Sequence, residues 1–401
     1  MILDDARLGH LTYCTNIHKG ISWPEVREYL TRDVPRVKAA VAPDRPFGLG
    51  FRLAAQAASD LEEEAAFAEL KALLAEHALY VFTLNGFPYG PFHGVRVKEE
   101  VYQPDWSFPE RLAYTDRLAD LLLRLLPDEI AIEGSISTVP GTFRPLAAEP
   151  ERVERIVEHL LRHVAHLARL RERSGRTIAL ALEPEPMCML ETIDETADFI
   201  ERRLLAQAGL DRLAALMGGA RAAAEAAVRR HLGVCYDVCH AAVEFEDAAG
   251  SLARLRRSGI GVPKLQLSAA LRVPRMSAEL AAWLGRFDDG VYLHQVVERA
   301  GERLVRHLDL PQALDGYARV GGSAEWRVHC HVPVFLAEAG IAATTQPFLA
   351  EILDLHRREP ISAHLEVETY TWDVLPPALR NEDITVALAR ELEWCQRRLA
   401  G

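Results

Sequence analysis

Several side chains of this 401-residue chain have the types and spacing of a metal or acid–base centre. The apolar run Ile178–Leu182 delivers Glu183, with Glu185 two residues on. A carboxylate at the end of such a run suits a hard metal ligand or a general base. Its simpler role is a solvated strand-end glutamate paired to an arginine. The run 232–238 carries Asp237 near its end, and His240 follows three residues later. Asp-x-x-His at a strand end can set both groups around one metal or two neighbouring metals. The simpler roles are a helix N-cap for Asp237 and a packed loop histidine for His240. His329-Cys330-His331 forms H-x-H, and in an extended segment both imidazoles face one side. That is a two-histidine geometry for Zn²⁺, Mn²⁺ or Fe²⁺. In 361–369, Ser362, His364, Glu366 and Glu368 share one face, while Ile361, Ala363, Leu365 and Val367 share the other. Carboxylates inside a fold are costly unless paired or metal-bound. Glu368, at the strand end, joins Glu183 as a candidate catalytic group and metal ligand. Glu366, deeper, is expected to accept a hydrogen bond from His364.

A substrate wall is expected from Asn85-Gly-Phe-Pro-Tyr-Gly-Pro-Phe-His93-Gly94, where Phe87, Tyr89 and Phe92 can stack on a sugar or other ring. Its alternative is a rigid surface loop packed by its own aromatics. His93 could reach the metal pocket. Asn16, His18 and Arg52 stand at the tips of the first two apolar runs and are substrate-contact candidates, with Asn85 at the third.

These groups need elements to position them. Short apolar runs alternate with long helical patterns, the mark of βα units and a parallel sheet. Eight strands are expected, at 10–18, 47–53, 79–85, 129–137, 178–186, 232–238, 263–269 and 361–369. Two further runs, 291–297 and 303–310, read as a hairpin inserted after the seventh strand, followed by 326–335. Ser22 with Glu25, Ser59 with Glu62, Ser107 with Glu110 and Thr192 with Glu195 fit the S/T-x-x-E capping box. The stretch 191–230, broken by Gly218 and Gly219, reads as two helices. His163 and His166 lie in a charged helix and are expected at the surface. The fold expected is α/β: one (β/α)₈ barrel spanning 1–401, with 270–325 an insertion or small subdomain. Its catalytic groups belong at the C-terminal strand tips.

Composition narrows the function. Apolar residues make up 49% and charged residues 26%, as in ordinary soluble globular proteins. A net charge of −12 argues against a nucleic-acid partner. The six cysteines are scattered, without a CxxC pair, and read as reduced thiols. The start MILDDARLGH lacks a signal-peptide pattern, and no run nears the ~18 apolar residues of a membrane span. A cytoplasmic location is expected. No G-x-G-x-x-G or Walker loop implies a nucleotide cofactor.

The pattern resembles the xylose-isomerase-like superfamily of barrels, which includes sugar-phosphate isomerases, epimerases and endonuclease IV enzymes. Those carry Glu at the fifth strand, Asp-x-x-His at the sixth, His at the seventh and Glu at the eighth. Glu183, Asp237, His240 and Glu368 take those places; Gln266 stands where the seventh-strand His belongs. Arg327-Val-His329-Cys-His331 is similar to the endonuclease IV segment that supplies an Asp and a His to a third zinc, with His329 in the Asp position. More closely, LTYCTNIH, FTLNGFPYGPFHG, GSISTVPG and YDVCHAA resemble the metabolite traffic protein EboE family, nearly end to end. That resemblance implies a role in moving or maturing secondary-metabolite precursors, with a small-molecule metabolite and proteins of the same gene cluster as partners. The site then implied holds Zn, Mn, Fe or Co on Glu183, Asp237, His240, Gln266, His329, His331 and Glu368. Three readings follow. The first is a metal-dependent isomerase or epimerase of a small polyhydroxy substrate, with Glu183 and Glu368 on opposite sides of the mouth. The second is a non-catalytic carrier or scaffold. The third is a metal-dependent phosphoester hydrolase.

Overall fold

The computed structural model describes residues 1–401 apart from 95, 373, 374, 378, 379 and 381. In chain order the strands are β1 (His10–Tyr13), β2 (Phe47–Arg52), β3 (Leu79–Asn85), β4 (Gly134–Thr138), β5 (Ile178–Leu182), β6 (Leu232–Asp237) and β7 (Lys264–Leu267). Six short strands follow: β8 (Leu271–Val273), β9 (Val296–Ala300), β10 (Arg303–His307), β11 (Glu325–Val328), β12 (Glu338–Ala339) and β13 (Ala342–Thr344). The last is β14 (His364–Val367). β1 to β7 and β14 form one parallel eight-stranded sheet, in the order β1-β14-β7-β6-β5-β4-β3-β2. A parallel bridge between Cys14 and Gly50 draws its two ends together. The Thr12 hydroxyl reinforces that seam, donating to Gly48 O at 2.6 Å and accepting from Gly50 N at 3.0 Å. This is the expected (β/α)₈ barrel, with strands buried on both faces because helices cover the outside.

Each expected strand overlaps an observed one. The hairpin is β9–β10, antiparallel with Arg303 opposite Ala300. It belongs to a six-stranded sheet ordered β10-β9-β11-β8-β13-β12, so the inserted sheet extends past residue 325 to Thr344. β12 and β13 hold two and three residues, too short to leave an alternating pattern.

The capping boxes divide. Those at Ser22–Glu25 and Thr192–Glu195 form. Ser59 instead lies inside the helix Ala55–Asp60, and the next helix starts at Glu64. Ser107 falls one residue too early, because Phe108 is the N-cap of Pro109–Leu125. The stretch 191–230 holds three helices where two were expected, Ile193–Phe199, Gln207–Met217 and all but the last residue of Arg221–His231, with a wide helical turn over Ile200–Leu204. Gly209 packs there against the Arg203 carbonyl; a Cβ would lie 2.2 Å from that oxygen. His163 is fully buried, contrary to expectation, with Nδ1 2.6 Å from Asp116.

Polar layers fill the barrel interior. Lowest, His364 Nδ1 meets the Ser135 hydroxyl at 2.7 Å, which in turn meets Thr83. Above, Lys264 Nζ pairs with Glu366 Oε1 at 2.8 Å and donates to Asn85 Oδ1 at 2.9 Å. The expected His364–Glu366 bond does not form, because β14 lies between β1 and β7 and the β7 lysine takes the carboxylate. Gly50 is required here: a methyl would lie 1.8 Å from Glu366 Oε2. The topmost layer is the candidate site.

Glu391, on the helix Ile384–Ala400, braces that layer from outside. Its Oε1 accepts from Val334 N at 3.0 Å and from the Thr369 hydroxyl, next to Glu368, at 2.7 Å. Burial pushes its carboxyl up to about 7. A folded value above the unfolded one (~4.3) gives stability that is complete at low pH and lost as pH rises through about 7. Urea titrations should therefore show Glu391→Gln gaining on wild type by roughly 1–3 kcal/mol between pH 5 and pH 8.

Candidate metal centre

Glu183 and Glu368 each follow directly on a barrel strand, and Asp237 ends β6. The three are buried, and each offers a carboxylate oxygen within 4.8 Å of the other two. Glu183 and Glu368 follow strands that stand three apart in the barrel, and their carboxylates converge beside Asp237. Asp237 does two jobs. Its Oδ1 caps the helix Val238–Val243 by accepting from His240 N at 3.0 Å, and also accepts from the Ser268 hydroxyl at 2.7 Å. Its Oδ2 is buried without a hydrogen-bond partner. Asn16 donates to Glu368 Oε1 at 2.6 Å.

Beside the carboxylates sit three imidazoles. Each has Nδ1 tied to an oxygen: His240 to Pro184 O at 2.9 Å, His329 to Gln295 Oε1 at 2.7 Å, and His331 to Glu368 O at 2.8 Å. An acceptor on Nδ1 fixes the tautomer and leaves Nε2 to ligate, the arrangement of metal-binding histidines. His240 Nε2 and His329 Nε2 stand 3.1 Å apart. Two lone pairs cannot face each other at that distance without a proton or a metal cation between them. His331 Nε2 is buried and unpartnered. Asp237, His240 and His331 also offer ligand atoms within 4.8 Å of one another, so Asp237 belongs to both groups.

Electrostatics point the same way. Burial, then the Asp237 charge, push Glu183 up to about 8. Burial, then Glu183 and Asp237, hold Glu368 well above the carboxylate range. Burial opposes charge on Asp237 too, but His240, His331 and two donated hydrogen bonds keep it below its ordinary value. Burial lowers His331 to about 4 and holds His329 well below its ordinary value. The His240 pKa is raised by Asp237, Glu185 and Glu183 against its own burial. The cluster thus carries more anionic capacity than it can ionise alone, and a divalent cation fits it.

Gln266 is fully buried on β7. Its amide donates to Asn85 Oδ1 at 3.2 Å, while Oε1 has no partner. An oxygen donor thus stands at the seventh-strand position, with weaker affinity for transition metals than imidazole.

A cavity of about 620 Å³, counting its open mouth, descends to Glu183, Glu185, His240, His329 and Glu368. Asn85 and Phe87 line it, but His18, Arg52, Tyr89 and His93 do not. Arg52 instead clamps the β3 loop, donating to Gly20 O, Pro88 O and Gly90 O. His18 packs on Tyr29 and bonds the Tyr13 hydroxyl. Tyr89 abuts Tyr114, and His93 Nε2 reaches Asn16 O at 2.5 Å. The wall also includes Lys98, Tyr102, Tyr292, Gln295 and Tyr370, which sequence reasoning did not single out. Lys98 and Tyr102 bound a single 3₁₀ turn and the others lie on loops, so none carries a periodic signal. Tyr292 and Gln295 show what the insertion contributes: part of the wall, and the amide that orients His329.

No family model matches the chain, and no curated protein matches it. Solved structures similar to it include the probable 3-DHS dehydratase AsbF, involved in petrobactin synthesis, from Bacillus anthracis. That match has 13% identity, covers 96% of this chain and 97% of that one, and gives a TM-score of 0.44. The IolI protein with a binding zinc atom matches at 11% identity, 97% of each chain and a TM-score of 0.44. A xylose isomerase domain protein from Alicyclobacillus acidocaldarius subsp. acidocaldarius matches at 14% identity, 98% of this chain, all of the other, and a TM-score of 0.41. No helix among the described residues is long and apolar enough to cross a membrane.

Proposed function

We propose that the chain is a metal-dependent isomerase or epimerase of a small polyhydroxy metabolite, acting in the handling of secondary-metabolite precursors as its EboE resemblance suggests. The observation that carries the reading is the convergence of Asp237, its Oδ2 buried and unpartnered, with Glu183 and Glu368 at the floor of a cavity, and with His331, whose Nε2 is also buried and unpartnered. Glu183, Asp237, Glu368 and Gln266 would hold one divalent ion, with His240, His329 and His331 beside it. When bound, the ion polarises a substrate carbonyl or hydroxyl oxygen. Glu183 and Glu368 take and return the proton between adjacent carbons. Asn16 fixes Glu368 by its 2.6 Å hydrogen bond, and the aromatic wall keeps water from the floor. The same reading makes the partner a small molecule and leaves room for contact with proteins of the same gene cluster.

The histidine trio favours a second reading, a phosphoester hydrolase, which needs two or three metals about 3.5–4 Å apart. Incubation of metal-loaded protein with ketoses and their phosphates in heavy water separates the proposals. An isomerase or epimerase places deuterium on the carbon next to the carbonyl, and Glu368→Gln reduces that exchange by at least about 100-fold with the fold retained. Phosphate release without exchange supports the hydrolase. Binding without either reaction supports a carrier.

A further inference from the structure

Resting on the reading of the pocket as a substrate site, we infer that its substrate carries a planar, conjugated ring attached to the oxygen-bearing segment that meets the floor. Five aromatic side chains line the one cavity: Phe87, Phe92, Tyr102, Tyr292 and Tyr370. They form two groups. Phe87 lies parallel to Tyr102, with ring centres 5.9 Å apart and planes 8° apart, and Tyr102 continues onto Phe143. Phe92, Tyr292 and Tyr370 pack mutually at 5.6–6.3 Å.

What matters is where their polar atoms go. The Tyr102 hydroxyl donates to Glu185 and accepts from Gln295; the Tyr292 hydroxyl meets His93. Lys98 Nζ, also on the wall, is held by Asp309 at 2.6 Å. The Nδ2 amides of Asn16 and Asn85 are committed to Glu368 and Glu366, and Asn16 Oδ1 stays buried and unpartnered beside Glu368 at the floor, where the oxygen-bearing segment sits. Arg52 covers the Phe92 ring and Tyr102 stacks on both Phe87 and Phe143, so the wall offers a largely aromatic surface whose hydrogen-bonding groups above the floor already have these partners. A substrate hydroxylated along its whole length would leave hydroxyls unpaired there, a penalty a flat apolar ring avoids. Aromatic faces also reward a second π-system in offset or edge contact over a saturated ring of similar bulk.

Mandelate and hexahydromandelate test this, since they share the same hydroxy-acid oxygens and differ only in a flat or a puckered ring. Both are titrated into cobalt-loaded and metal-free protein. The inference predicts that mandelate binds about tenfold more tightly to wild type. It also predicts that Phe87→Ala narrows the difference to below about twofold while cobalt stoichiometry is unchanged. Equal or tighter binding of hexahydromandelate would overturn it, since a merely apolar pocket favours the more hydrophobic ring. A preference that survives Phe87→Ala, or no binding of either acid at about 10 mM, would overturn it as well. Failure of the metal reading shows separately, as affinities that do not change when cobalt is removed.

Discussion

Replacement of Lys264 by methionine is expected to cost about 3–5 kcal/mol of folding stability, the penalty for leaving a buried charge without its partner. Lys264 and Glu366 have no exposure to solvent and are joined at 2.8 Å. Glu366 Oε1 also accepts from Asn85 Nδ2 at 2.9 Å, and Asn85 Oδ1 accepts from Lys264 and the Ser137 hydroxyl. The lysine pKa is raised: burial disfavours its charge, but Glu366 foremost outweighs that. Without the ammonium, the carboxylate remains in the barrel core with one amide donor and an unpartnered Oε2. The double variant Lys264→Met, Glu366→Gln removes both charges and keeps an acceptor for Asn85. It should recover most of the loss in urea unfolding, because removing a whole buried pair is far less costly than removing half. Equal losses in the single and double variants would show that the pair is not what stabilises this layer. The lysine also lies within electrostatic reach of Glu183 and Glu368, whose pKa values it lowers.

The second large effect is a reversal of stability by metal. Glu183 carries a folded pKa of about 8 against an unfolded value of ~4.3. A value raised on folding gives stability that is complete below the unfolded pKa and lost as pH rises through about 8, so by pH 7 most of it has gone. Glutamine does not titrate. In metal-free protein at pH 7, Glu183→Gln should therefore be more stable than wild type, on the order of 1–3 kcal/mol. With saturating metal the order inverts: wild type gains the binding free energy, and the variant, short of a ligand, gains little. A site that destabilises its own empty state is a common cost of function. A Glu183→Gln variant less stable than wild type in chelator would show that the carboxylates are not strained by one another.

The barrel was legible because short apolar or alternating runs are separated by long helical patterns, a pattern that survives without knowledge of tertiary contacts. Glu183, Asp237 and Glu368 were legible for a related reason: a charged side chain at the end of such a run has to emerge at the barrel mouth. What a strand tip does not reveal is direction. Arg52 ends β2 yet turns away from the cavity to hold three loop carbonyls. Nor does it reveal register. Lys264 falls inside the expected strand 263–269, and only the alignment of β14 against β7 places its ammonium on Glu366. Gln295 and Tyr370 belong to loops, and Tyr102 to the short 3₁₀ turn Lys98–Tyr102, whose positions depend on long-range contacts that no local pattern encodes.

The most direct test is metal content per chain after purification and loading, measured by elemental analysis on wild type and Glu183→Gln. The account predicts about one equivalent or more of Zn, Mn, Fe or Co on wild type, with affinity in Glu183→Gln reduced beyond the 10–100-fold that loss of an outer hydrogen-bond partner brings. Wild-type protein that takes up no divalent metal under any loading condition would contradict it.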